Sequence, residues 1–155
     1  MGHWFTYLWT AQVAAVSSTD VGTLLWRFNP ALLMVDAAKG LHAGDERARF
    51  IHSAVPDRVA DYGMASGIFN VRLEAGDDDW MQHITNTLDV LNETSERGFA
   101  FNCLTSYSDQ HLMRDYLFYA NPGQLFDLCK RRFSRNVALL HDYDLYEFTI
   151  LVRKA

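Results

Sequence analysis

Asp61-Tyr62-Gly63-Met64-Ala65-Ser66-Gly67-Ile68-Phe69-Asn70 is the stretch on which the fold turns. It begins as a short apolar run and breaks at Ser66-Gly67. Small residues at such a break let the backbone come close to a ligand or to another strand. An amphipathic helix and a short strand precede it; an acidic helix start and another apolar strand follow. A strand ending in a small-residue turn, inside a strand–helix alternation, is where an open parallel sheet binds small molecules. The plainer reading is a tight turn at a strand end, since isolated glycines mark turns more often than sites.

Working upstream, Ala48–Ser53 reads as a short strand, and Ala54 to Arg58 as a connection containing Pro56. Before it, Asn29 and Pro30 suit a helix start, and Leu33, Val35, Ala38 and Leu41 give one apolar face. Gly40 and Gly44 close that helix. Residues 1–28 match no template well. Trp4–Trp9 reads as an aromatic strand, Gln12–Val16 as a strand or helical turn, and Thr23–Phe28 as a strand.

Downstream, Asp77-Asp78-Asp79 opens a helix that runs to about Ser95, with Trp80, Ile84, Leu88 and Leu91 at helical spacing. Carboxylates in a first turn complement the positive end of the helix dipole, so a helix start outweighs a cation site here. Gly98–Leu104 is the next strand, followed by the polar loop Thr105–Asp109. Leu117–Asn121 is a short aromatic stretch. Asn121-Pro122 then starts a helix with Leu125, Phe126, Cys129 and Phe133 on its apolar face and Lys130-Arg131-Arg132 in its last turn. Two closing strands, Asn136–His141 and Leu145–Val152, are joined closely enough for an antiparallel hairpin.

The chain has 155 residues, 49% hydrophobic and 21% charged, which is a globular composition suited to one domain. A net charge of −5 argues against a dominant nucleic-acid-binding surface. The two cysteines, Cys103 and Cys129, lie in apolar segments and lack metal-ligand spacing, so they read as buried thiols in a reducing cytoplasm. No metal is expected. No apolar run has the length of a membrane span, and the first residues lack a basic leader region.

From Asn29 to Lys154 the chain resembles the later portion of a class I, S-adenosylmethionine-dependent methyltransferase. The carrying segments are Asn29-Pro30-Ala31-Leu32, Ala65-Ser66-Gly67-Ile68-Phe69-Asn70, Phe101-Asn102-Cys103-Leu104-Thr105-Ser106-Tyr107, Asp142-Tyr143 and Tyr146-Glu147-Phe148-Thr149. The resemblance implies an α/β fold: a three-layer, Rossmann-like sheet, mostly parallel, with an antiparallel strand near its C-terminal edge. It implies S-adenosylmethionine as cofactor, with Ser66 and Gly67 on the cofactor side. Phe69, Asn70 and Tyr107 fall on the side of the methyl acceptor, and Asp109 is the candidate base.

The departures from that family lie upstream. Its first strand is followed by a glycine-rich loop, but Thr10 to Ser18 contains no glycine. Its second strand ends in an acidic residue that accepts hydrogen bonds from the ribose; the matching position here is Arg27, which cannot accept them. The third strand is often followed by a carboxylate near the adenine; here the chain reads Ser53-Ala54. The expected organisation is therefore an unassigned segment over 1–28 and a methyltransferase-like domain over 29–155, incomplete at its N-terminal end. Weak or absent cofactor binding follows, and three explanations stand: a truncated or mis-started gene product, a domain that has lost the cofactor and keeps the shell as a non-catalytic interaction or structural module, or divergence from the family pattern. Sheet physics adds one expectation. The strand over Val59–Ser66 needs a neighbour, so one of the first two apolar segments should pair with it in parallel, with Thr23–Phe28 in the second strand's place.

Overall fold

The computed structural model describes residues 12–19, 22–29, 32–45, 48–53 and 55–154. Eight strands and three helices alternate along these residues: β1 Gln12–Thr19, β2 Gly22–Asn29, α1 Leu32–Leu41, β3 Ala48–His52, β4 Ala60–Ser66, α2 Asp77–Glu93, β5 Ser95–Thr105, β6 Tyr119–Ala120, α3 Pro122–Arg132, β7 Asn136–Leu140 and β8 Glu147–Arg153. All strands join one sheet in the order β3-β2-β1-β4-β5-β8-β7, with β6 paired to β5 beyond the end of β4.

The expectation of a mostly parallel sheet gives way to a mixed one. β2 and β3, β4 and β5, and β5 and β6 are parallel. β8 is antiparallel to both β5 and β7, as the closing hairpin implied. β1 is antiparallel to both β2 and β4, which corrects the expected parallel pairing with β4. The reason is connection length. Thr19 and Gly22 are register partners, so only two residues separate the strands. A link that short makes a hairpin, whereas parallel neighbours need a crossover of a dozen residues or more. Gln12–Thr19 and Gly22–Asn29 thus enter the sheet, with β2 in the expected second place. Trp4–Trp9 and Pro30 lie outside the described residues, and Asn29, read as a helix cap, closes β2 instead.

The core lies on one face of β4, β5 and β8. Along β5, Phe99, Phe101, Cys103 and Thr105 are buried, while the alternate residues Ala100, Asn102 and Leu104 are half-buried. Phe148, Ile150 and Val152 of β8 continue that buried face. α2 covers it with Ile84, Leu88 and Leu91, spaced four and three residues apart as one helix stripe requires. α3 adds Leu125 and Cys129, and starts where the Asn121 Oδ1 accepts the Gln124 N–H at 3.2 Å. Arg132 and Asp89 clamp the two helices through a pair of hydrogen bonds of 2.6 and 2.7 Å, and the guanidinium holds the Asp89 carboxyl below its usual range. Burial pushes the Cys129 thiol up to about 12 and raises Cys103 as well, so neither supplies a thiolate.

α1 packs on β2 and β3. The right-handed rule for strand–helix–strand crossovers puts it on the face opposite α2, because the two units run outward in opposite directions along the sheet. α2 and α3 lie against the core face, through Ile84, Leu88, Leu91, Leu125 and Cys129. On the second face Tyr62 and Met64 are 40% and 45% exposed. No described helix is long and apolar enough to cross a membrane.

Candidate functional site

The carboxyl ends of β4 and β5 and the turn between β7 and β8 meet at one end of the sheet. β4 stops at Ser66, and Gly67 follows with φ +70°. Among the described residues nothing lies within 4 Å of where its Cβ would be, so glycine suits the turn's conformation. Its N–H donates to Asn102 Oδ1 at 2.7 Å. The chain then dips inward. Phe69 is fully buried and stacks edge-to-face on Phe101, with ring centroids 5.8 Å apart. Its carbonyl accepts the Trp80 indole N–H at 2.9 Å.

Asn70, 3% exposed, replaces the strand that has ended. Its Oδ1 accepts the Leu104 N–H at 3.1 Å and its carbonyl accepts the Phe118 N–H at 2.9 Å. Buried backbone donors require such partners, which gives a physical reason for an amide side chain here. The Asn70 amide donates to Glu147 Oε1 at 3.1 Å, and the Asn102 amide donates to Glu147 Oε2 at 2.6 Å. One carboxylate from β8 therefore ties together the turn after β4 and the middle of β5. The loop beyond is held by Arg72, which donates from Nε to the Leu117 carbonyl and from Nη1 to the Ala75 carbonyl. Leu73 beside it adopts φ +54°, unusual for a non-glycine residue.

Gly67 and Asn70 are thus tied to one network through Asn102 and Glu147, with Ser66 beside them at the end of β4. Tyr107 and Asp109 stand on the loop after β5 at the same end. Tyr107 is 75% exposed, its ring 6.0 Å from that of His141. Asp109 accepts the Tyr146 hydroxyl at 2.5 Å, and that bond holds the phenol above its usual range. Phe69 does not line the surface; its ring belongs to the core. Two residues at the centre of the network, Asn102 and Glu147, stand in the segments that carry the resemblance but have no site role in the sequence reading. An amide interrupting the apolar run of β5 was the available signal. Among the described residues no cluster of three histidine, cysteine or carboxylate side chains could hold a metal.

Ser66, Met64, Ala100, Asn102 and Thr149 border a pocket of about 120 Å³ on the second face. It runs into a wider apolar depression of about 380 Å³ that shares Met64 and Ala100.

The chain is 65% identical over 122 residues to the protein named "Putative methyltransferase Rv1506c" from Mycobacterium tuberculosis, covering 79% of this chain and 74% of that one. No family model matches the chain. No solved structure matches it.

Proposed function

Since the chain belongs to the same family as that mycobacterial methyltransferase, we propose that it is a class I, S-adenosylmethionine-dependent methyltransferase-like protein whose cofactor half is impaired. The strand order supports the class: a seven-strand path with an antiparallel strand next to its far edge accords with the resemblance read from Ala65–Asn70 and Phe101–Tyr107. Asn70 and Tyr107 are the proposed acceptor-side residues, Asp109 the proposed base, and Ser66 and Gly67 what remains on the cofactor side.

One observation carries the impairment. In this chain β1 runs opposite to β4, pairing Gln12 with Ser66 and Val16 with Tyr62. The connection after β1 therefore lies at the end of the sheet away from the Ser66-Gly67 turn. A loop there cannot reach a ligand at the carboxyl ends of the strands, where open α/β sheets bind them. β1 also has no glycine. The residues present do not fit the methionine and ribose half of the cofactor, so no transfer step is derived. The same observation favours the second reading, a non-catalytic module that keeps the methyltransferase shell.

Calorimetric titration with S-adenosylmethionine tests this. The expected result is no saturable heat up to about 1 mM ligand, a level weaker than about −4 kcal/mol of binding free energy. A micromolar dissociation constant would refute the impairment and restore the active-enzyme reading.

A further inference from the structure

We infer that the pocket on the second face binds alkylammonium ligands, the cationic head beside Asn102 and Glu147 and the hydrocarbon tail in the apolar depression. The inference concerns binding alone and does not depend on methyl transfer.

The first observation is a carboxylate with unused capacity. Each Glu147 oxygen accepts one amide N–H, from Asn70 and from Asn102. A carboxylate can accept about four hydrogen bonds, so about two acceptor positions remain open. Among the described residues no lysine or arginine forms an ion pair with it. A partly buried carboxylate served only by neutral donors favours a cation nearby.

The second observation is a space one side chain away from it: Glu147 holds Asn102, and Asn102 lines the pocket. The pocket of about 120 Å³ is bordered by Asn102, which Glu147 holds, and by Thr149, two residues along β8 on the same face. Ser66 and Thr149 add hydroxyl groups, and among the described residues no cation lines it. At about 30 Å³ per water it has room for about four waters, or for an ammonium group on a short carbon chain.

The third is the continuation. The depression of about 380 Å³ begins at Met64 and Ala100 and extends past Tyr62 and Leu151 to Arg153. Its apolar middle suits methylenes. Arg153 stands at the opposite end of β8 from Glu147, so the field along the groove favours one orientation, cation toward Glu147. Carboxylic acids of the same length meet that field with the wrong sign at the pocket.

The test is an amide NMR titration of the full chain with n-propylammonium, n-pentylammonium, 1-pentanol and pentanoate. Expected are shifts at the Gly67 N–H and the Asn102 side-chain amide. Affinity should rise about fourfold per added methylene between the two amines. Glu147→Gln should weaken n-pentylammonium about tenfold and leave 1-pentanol unchanged. Pentanoate binding as tightly as the amine, no binding of either amine, or a folded Glu147→Gln protein with undiminished amine affinity would overturn the inference. If Glu147→Gln does not fold, Ser66→Lys at an exposed position makes the same test. It should abolish amine binding and admit pentanoate, and unchanged amine binding overturns the inference.

Discussion

Gly98→Ala is expected to destabilise the domain by about 3 kcal/mol or more, a large share of the 5–15 kcal/mol that holds a domain of this kind together. Gly98 sits where β5 pairs on both sides, with Tyr62 of β4 and Arg153 of β8. Its φ of +152° is one that residues with a side chain rarely adopt. An added Cβ would meet the Val152 carbonyl oxygen at 2.3 Å and Arg153 Cα at 3.2 Å. Both are backbone atoms of a paired strand, so neither can swing aside as a flexible side chain would. Relief requires breaking the β5–β8 ladder that carries Phe99, Phe101, Phe148 and Ile150. Gly40→Ala is the matching control. Gly40 lies in α1 with nothing among the described residues within 4 Å of its Cβ position, and alanine there should stabilise by about 0.5–1 kcal/mol. Urea unfolding of the two variants measures both; equal midpoints would contradict the account of Gly98.

Ala15→Pro is expected to have an effect of similar size and to yield largely insoluble protein. Ala15 is a register partner of Trp26 in β2 and of Gly63 in β4, which makes β1 an interior strand. Proline removes a ladder donor and fits only edges and bulges, so an interior strand loses its pairing there. Losing β1 also uncovers the edge of β4, the fourth of seven strands on the path, and an apolar unpaired edge recruits other chains. Soluble expression with an unchanged thermal midpoint would mean that β1 does not sit between β2 and β4.

The parts of the fold legible in the sequence are those written in local pattern. α2 announced itself through three aspartates and an apolar stripe, α3 through Asn121-Pro122 and a basic last turn, and the β7–β8 hairpin through its short link. Strand direction is not a local property. The apolar run Gln12–Val16 pairs equally well either way, and the family resemblance suggested parallel. The correcting signal was chain length: too few residues separate that run from Thr23–Phe28 for a crossover. The site was half legible. Ser66 and Gly67 are adjacent at the end of β4, at the small-residue break, and Asn70 follows three residues on. Glu147 meets Asn70 and Asn102 across 77 and 45 residues of sequence, a pairing that register alone creates. Phe69 was placed at the surface because the turn is there, but a large ring between a turn and a buried strand is better buried, and Phe101 receives it.

The central claim is the direction of β1, since it moves the connection after that strand away from the ligand end. Backbone cross-strand nuclear Overhauser effects measure it directly. The account predicts cross-peaks between Val13 and Ala65 and between Val16 and Tyr62, the antiparallel register. Cross-peaks joining Val13 to Tyr62 and Val16 to Ala65 would mean a parallel first strand, and would return the following connection to the Ser66-Gly67 end.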